Sequence, residues 1–328
     1  ANLDLSAAQI VKGGVYMDDK ELDKDNHLPD LAFERAVSLR SITVPSTLRS
    51  IGYASFQDTY SLREVNLNEG LVEIDTWAFA SWNVESSLEK INIPSTVRSF
   101  EGTTFASCYK LKDLVFHSDN PYYTFDGKAV YTKDYGQIVH ILPSYAGVLS
   151  LPDACRTVQW SSLRSGKLKG FVGKNVIEIG GHAFADLWSA DYLAFGSKLK
   201  RVGIGPFSYA RLNRLYLGCH DIPDGEYVDY VDGVYSDYWD AYKNVTLYVP
   251  RDAVDKFRKH RVWGMAKEVL PIEDTEFAYL ADSELDAVDE VETSSTAMPH
   301  SIYSPTGVKL NRPIKGLNIV DGKKVMVK

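Results

Sequence analysis

The side chains best placed to do chemistry lie in DIPDGEYVDYVDGVYSDYWDAYKN at 221–244 of this 328-residue chain. Tyr227, Tyr230, Tyr235, Tyr238, Trp239 and Tyr242 alternate there with Asp224, Glu226, Asp229, Asp232, Asp237 and Asp240. Aromatic rings beside carboxylates stack on a sugar face and accept its hydroxyl protons, or meet a basic patch on a protein. The same composition suits a loop that buries its rings over the body of the protein and leaves its acids in water. Ring exposure separates the two readings.

Other chemical signals are weak. DKDNH at 23–27 places two carboxylates at alternate positions but lacks the glycine and final glutamate of a calcium loop. GIGPF at 203–207 shares only the first GxG of a dinucleotide loop, so it reads as structural. The seven histidines (27, 117, 140, 182, 220, 260 and 300) are scattered, with no HExxH, and no GxSxG or Walker loop is present. Cys108, Cys155 and Cys219 form no CxxC pair and read as buried thiols acting as small apolar side chains. The sequence therefore predicts no catalytic residue, no metal site and no cofactor. A net charge of −8 argues against a nucleic-acid partner, whose phosphates need a clustered basic surface. No run approaches the ~18 apolar residues of a membrane span. The opening ANLDLS, without Met, is read as a mature chain whose signal peptide has been removed.

The elements that must position these residues are written as a repeat. SITVPSTLRSI at 41–51 returns as KINIPSTVRSF at 90–100. An apolar residue followed five positions later by Phe recurs at Leu28/Phe33, Ile51/Phe56, Ile74/Phe79, Phe100/Phe105, Ile179/Phe184 and Val202/Phe207, with Val158/Leu163 a degenerate member. From Phe33 the steps are 23, 23 and 26 residues. Such a period marks a solenoid, whose units cannot bury their own faces and stack on their neighbours. Each unit opens with an L-x-x-φ-x-φ run, where φ is apolar, as in Leu39/Ile42/Val44 and Leu88/Ile91/Ile93. Alternation makes this a short strand with one side inward. Pro45, Pro94 and Pro152 close it. Gly52, Gly180 and Gly203 suggest a bend with positive φ, and the phenylalanines predict a stacked spine.

The pattern L-x-x-I-x-I-P-x-x-φ-x-x-I-G-x-x-A-F-x-x-C resembles the BspA-like, or Treponema-type, leucine-rich repeat of Bacteroidetes surface proteins. SLEKINIPSTVRSFEGTTFASCYKLKDLVF at 87–116 matches it nearly throughout. The resemblance implies a repeat solenoid of short strands with turns or short helical segments, plus a small C-terminal β-module. It also implies boundaries: an N-terminal cap at 1–27, repeats at 28–243 with a hairpin insertion at 120–144, and a capping unit at 244–273. An acidic linker at 274–301 and a hairpin module at 302–328, similar to a secretion or sorting tail, follow.

The face beside the strand φ positions carries Ser41, Thr43, Glu64, Asn66, Lys90, Asn92, Asp113, Val115, Arg214 and Tyr216, with alternating charge signs. Repeat proteins bind partners through such faces. The expected role is non-catalytic binding at the cell surface or outside the cell. A host matrix or bacterial surface protein is the expected ligand, implied by resemblance. The alternative is a glycan-binding accessory protein using the 221–244 aromatics, and third a hydrolase with an unrecognised site.

Overall fold

A computed structural model describes residues 1–12, 15–16, 20–21, 24–82, 85–164, 167–188, 190–225 and 243–281, together with the strands 302–303, 309–310, 316–320 and 323–327. The chain divides into two units, Ala1–Ala281 and Asp282–Lys328. The first is a β-solenoid of stacked coils.

Each L-x-x-φ-x-φ run supplies a strand of a wide parallel face, because alternate residues can then point into the coil. Ser41–Thr43 pairs with Asn2–Asp4 on one side and Glu64–Asn66 on the other. Lys90–Ile93 pairs with Asp113–Phe116. Val148–Ser150, Gly170–Gly173, Tyr192–Phe195, Arg214–Leu217, Thr246–Val249 and Glu268–Pro271 continue the face as one six-stranded parallel sheet. Inward residues such as Ile42, Ile91 and Leu215 are buried, while Glu64, Asn66, Lys90 and Asn92 are exposed.

A second, narrower ladder of two-residue strands follows the proline turn. It runs through His27–Leu28, Ser50–Ile51, Glu73–Ile74 and Ser99–Phe100, then resumes at Thr157–Val158, Glu178–Ile179, Arg201–Val202 and Asp224–Gly225. Between the two runs, Tyr123–Phe125, Ala129–Thr132 and Gln137–Ile141 form an antiparallel meander. Its last strand pairs in parallel with Thr157–Val158. The interior is correspondingly two cores, one built around Phe56, Phe79 and Phe105, the other around Phe171, Phe184 and Phe195.

The third side of the coil takes the turn form of the two expected, turns or short helical segments. Among the described residues from 28 to 225 no helix occurs, and the α-helix Val254–Lys259 belongs to the closing coil. The reason is a backbone with left-handed residues flanking the spine aromatic. Leu31 and Arg35 bracket Phe33, Ala54 and Asp58 bracket Phe56, and His182 and Asp186 bracket Phe184, all with φ between 51° and 60°. Such residues interrupt a right-handed helix. Their N–H groups instead reach the next coil, as Ala54, Phe56 and Asp58 donate to the carbonyls of Thr76, Ala78 and Ala80. The turn is thus a third hydrogen-bonded ladder, and its buried backbone groups are satisfied.

The rings stack as predicted: Phe33–Phe56 at 5.3 Å, Phe56–Phe79 at 5.1 Å and Phe79–Phe105 at 5.4 Å between centroids. Phe184–Phe207 lie 5.7 Å apart. The recurring glycines of the repeat have another cause than the one expected. Gly52, Gly180 and Gly203 do not have positive φ. A Cβ at Gly52 would lie 2.8 Å from the Leu28 carbonyl oxygen, and one at Gly180 2.6 Å from the Trp160 nitrogen. Close approach of the preceding coil selects glycine there, and Asp75, Glu101 and Gln159 fill equivalent slots without a left-handed backbone.

The end of the solenoid is closed by Phe257 and Trp263, both fully buried. The acidic stretch expected to be a linker from 274 is, over its first residues, packed structure: Ile272, Phe277, Leu280 and Ala281 are buried against Ala194 and Tyr216. The aromatic Phe277 outweighs the acids around it, because the wide face beneath is itself apolar and aromatic. In the second unit, Ile302–Tyr303, Lys309–Leu310, Gly316–Val320 and Lys323–Val327 form a four-stranded antiparallel sheet.

Candidate binding faces

The proposed contact residues fall into two environments. In the first half, parallel pairing sets Ser41 beside Glu64, Thr43 beside Asn66, Lys90 beside Asp113 and Asn92 beside Val115. Their side chains share the outer surface of the wide face. Asn66 Nδ2 donates to Glu64 Oε1 at 3.0 Å and reaches Thr43 Oγ1 at 3.4 Å, so the rung carries its own polar network. At the end of this surface, Asp113–Phe116 and the meander enclose an open groove of about 440 Å³. Lys112, Asp113, Val115, His117, Tyr123 and Lys133 line it. Charges of both signs with intervening apolar patches suit a protein surface better than a polyanion.

In the second half the same face is covered at Val172, Tyr192, Ala194, Tyr216 and Tyr248, which corrects the placement of Tyr216 on a binding surface. Tyr216 is buried, with Phe277 at 4.5 Å and Tyr248 stacked at 4.6 Å between ring centroids. Phe277 also packs on Tyr192 at 5.0 Å. Burial pushes the Tyr216 hydroxyl up to about 12, so it stays protonated, and Arg214 Nη1 donates to it at 3.2 Å. Arg214 is half-buried and engaged: it pairs with Asp191 and lies 3.5 Å from Glu276. Asn213 and Arg214 in turn hold the Asp191 carboxyl below the usual carboxylate range. Arg251 completes the clamp, its N–H donating to Glu273 at 2.9 Å and its guanidinium to Asp274 at 2.6 Å. The sequence reading missed this strap because its acids masked Phe277; the EFAYL string at 276–280 was the available signal.

Tyr227, Tyr230, Tyr235, Tyr238 and Trp239 lie outside the described residues, so their exposure is not part of this geometry. The cysteines are buried and free, and burial raises the thiols to about 12, 11 and 12 for Cys108, Cys155 and Cys219. Cys108 Sγ donates to the Phe79 carbonyl at 3.0 Å, tying one coil to the one before it. Among the described residues, no group of three His, Cys, Asp or Glu side chains is placed to hold a metal ion. Among them also, no helix is long and apolar enough to cross a membrane.

A second groove lies on the narrow side, where the degenerate coil meets its neighbours. It also measures about 440 Å³, and its rim carries Trp160, 56% exposed. The sequence signal was Gln159 in the glycine slot with a tryptophan directly after it.

The family model for the BspA type leucine rich repeat region matches residues 26–135, in six copies. This region is a BspA-type leucine-rich repeat. The coil geometry continues beyond the matched BspA-type segment to the strand Glu268–Pro271. Solved structures agree in fold. A leucine-rich repeat protein from Eubacterium ventriosum is 17% identical, with a TM-score of 0.53, covering 75% of this chain and 70% of that one. A leucine rich cell surface protein from Faecalibacterium prausnitzii is 17% identical, with a TM-score of 0.52, covering 78% of this chain and 66% of that one. No curated protein matches the sequence.

Proposed function

We propose that this chain is a non-catalytic protein-binding solenoid acting at the cell surface or outside the cell. The observation that carries the reading is the uncovered outer face over Ser41–Thr43, Glu64–Asn66, Lys90–Ile93 and Asp113–Phe116, beside a face closed by the chain's own strap. A repeat array that covers part of its wide face and leaves the rest polar and open presents the open part to a partner. The BspA-type repeat supports the reading, as does the description of one fold relative as a cell surface protein. The partner is a folded protein of the host matrix or of another bacterial surface.

The test is a solid-phase screen of the full chain against matrix and bacterial surface proteins, with Glu64→Lys/Lys90→Glu in parallel. We expect a protein ligand whose affinity falls at least tenfold in the double variant, as loss of a few interface contacts of ~1 kcal/mol each would give. Retention of full affinity in that variant removes the ladder from the binding reading.

A further inference from the structure

The Trp160 groove is built differently from the open ladder. Trp160 follows Gln159, which fills the glycine slot of its coil; the equivalent pair in the next coil is Gly180 and Gly181. A Cβ at Gly181 would collide with the six-membered ring of Trp160, so the indole lies directly against that backbone. His182 meets the same ring edge-on, 5.3 Å between centroids at 77°. The indole is therefore fixed from below and from one side while more than half its surface faces water. What sets Trp160 apart is that its ring is held in place at a groove rim and still open to a ligand.

The groove wall supplies the polar half of a site. Glu101, Thr157, Gln159 and Glu178 line it, with no Lys or Arg among the described lining residues. Gln159 is fixed by its amide nitrogen donating to Gln137 Oε1 at 2.5 Å, which leaves its carbonyl oxygen as an oriented acceptor. Arg201 donates to Glu178 Oε2 from Nε at 3.2 Å and from Nη2 at 2.5 Å, neutralising that carboxylate and holding it in place. Glu101 adds carboxylate oxygens that accept hydrogen bonds, and burial, then Asp75 and Glu73, raise its carboxyl above the ordinary value. A fixed aromatic plane with convergent neutral and acidic hydrogen-bonding groups matches a sugar ring, whose C–H face is apolar and whose rim is hydroxyls. The missing cations disfavour sialylated or sulfated chains. With one carboxylate already paired to Arg201, the site is also a poor trap for a basic peptide.

We propose that this groove binds a neutral oligosaccharide, with one pyranose stacked on Trp160 and its hydroxyls held by Gln159, Glu101 and Glu178. The site lies on the narrow side of the coil, not on the wide face, and stands independently of the protein-binding reading.

The experiment presents the full chain to an array of neutral, sialylated and sulfated oligosaccharides and a Lys/Arg-rich peptide, then titrates hits by calorimetry. Trp160→Ala is compared with Trp188→Ala, an exposed tryptophan outside the groove. Gln159→Ala is a second groove variant, and melting curves verify that each variant folds. The expected result is binding of at least one neutral oligosaccharide, weakened at least tenfold by Trp160→Ala, several-fold by Gln159→Ala and less than twofold by Trp188→Ala. The proposal fails if no neutral sugar binds, if Trp160→Ala leaves binding intact, or if only anionic glycans or the basic peptide depend on Trp160.

Discussion

His140 takes the place of a phenylalanine where the aromatic column of the first core ends. Its ring lies 5.9 Å from both Phe100 and Phe105, it is buried, and Nδ1 donates to the Gly102 carbonyl at 2.6 Å. Nε2 has no hydrogen-bond partner. A proton there would be a charge without water or counterion, so burial lowers the imidazole from 6.5 to about 4. Because the folded value lies below the unfolded one, the neutral ring is without penalty above pH 6.5. Stability is lost as pH falls from 6.5 towards 4, by roughly 3 kcal/mol, and no further below that. Denaturant titrations at pH 7.5 and 4.5 should show that loss, and His140→Leu should flatten it while lowering stability at pH 7.5 through the orphaned Gly102 carbonyl. Equal pH slopes in the two proteins would assign the acid sensitivity elsewhere.

At the level of elements, the strap at 272–281 decides which part of the wide face is available. Its anchors are the Phe277 ring, the buried aliphatic side chains of Ile272 and Leu280, and several ion pairs, and they are unequal. Exposed pairs such as Arg251–Asp274 contribute about 0–1 kcal/mol. Phe277, buried against Tyr192 and Tyr216, contributes several times that. Phe277→Ala should therefore release the strap with the coils beneath intact. Limited proteolysis should then cut near residue 280, and amide exchange should rise at 272–281 while protection persists in Leu215 and Leu247. Asp274→Asn, in contrast, should leave both readouts near the parent's. A strap equally protected after Phe277→Ala would show that the backbone contacts alone hold it.

For the molecule as a whole, stacked coils make stability a sum of near-neighbour terms, and the meander at 123–141 divides that sum into two cores. Phe79 sits mid-column between Phe56 and Phe105, so Phe79→Ala removes two stacking contacts and leaves a cavity costing about 3–5 kcal/mol. Its thermal midpoint should fall by several degrees. Exchange protection should fall in the coils from Ile42 to Leu114 more than in those from Phe171 to Val249. A uniform loss across both cores would mean that the meander transmits stability instead of dividing it.

Local order alone determined the coil. Period, strand alternation, proline stops and the aromatic column are set by contacts between each residue and its equivalent one turn away, so a single chain records them at fixed spacing. Even there, the glycine slot was legible as a pattern but not as a cause: Gly52 serves the backbone of the coil before it, which the residues around Gly52 do not encode. What only the tertiary structure decided is which outer surfaces stay open. Tyr216 and Asn66 occupy comparable outward positions in the repeat, yet a segment some sixty residues beyond Tyr216 covers one and leaves the other in water. Trp160 likewise carries no signal of a groove in the repeat pattern, and only the structure sets Gly181 beneath its ring. Coverage and groove formation depend on pairings between segments distant along the chain, and periodic spacing carries no information about them.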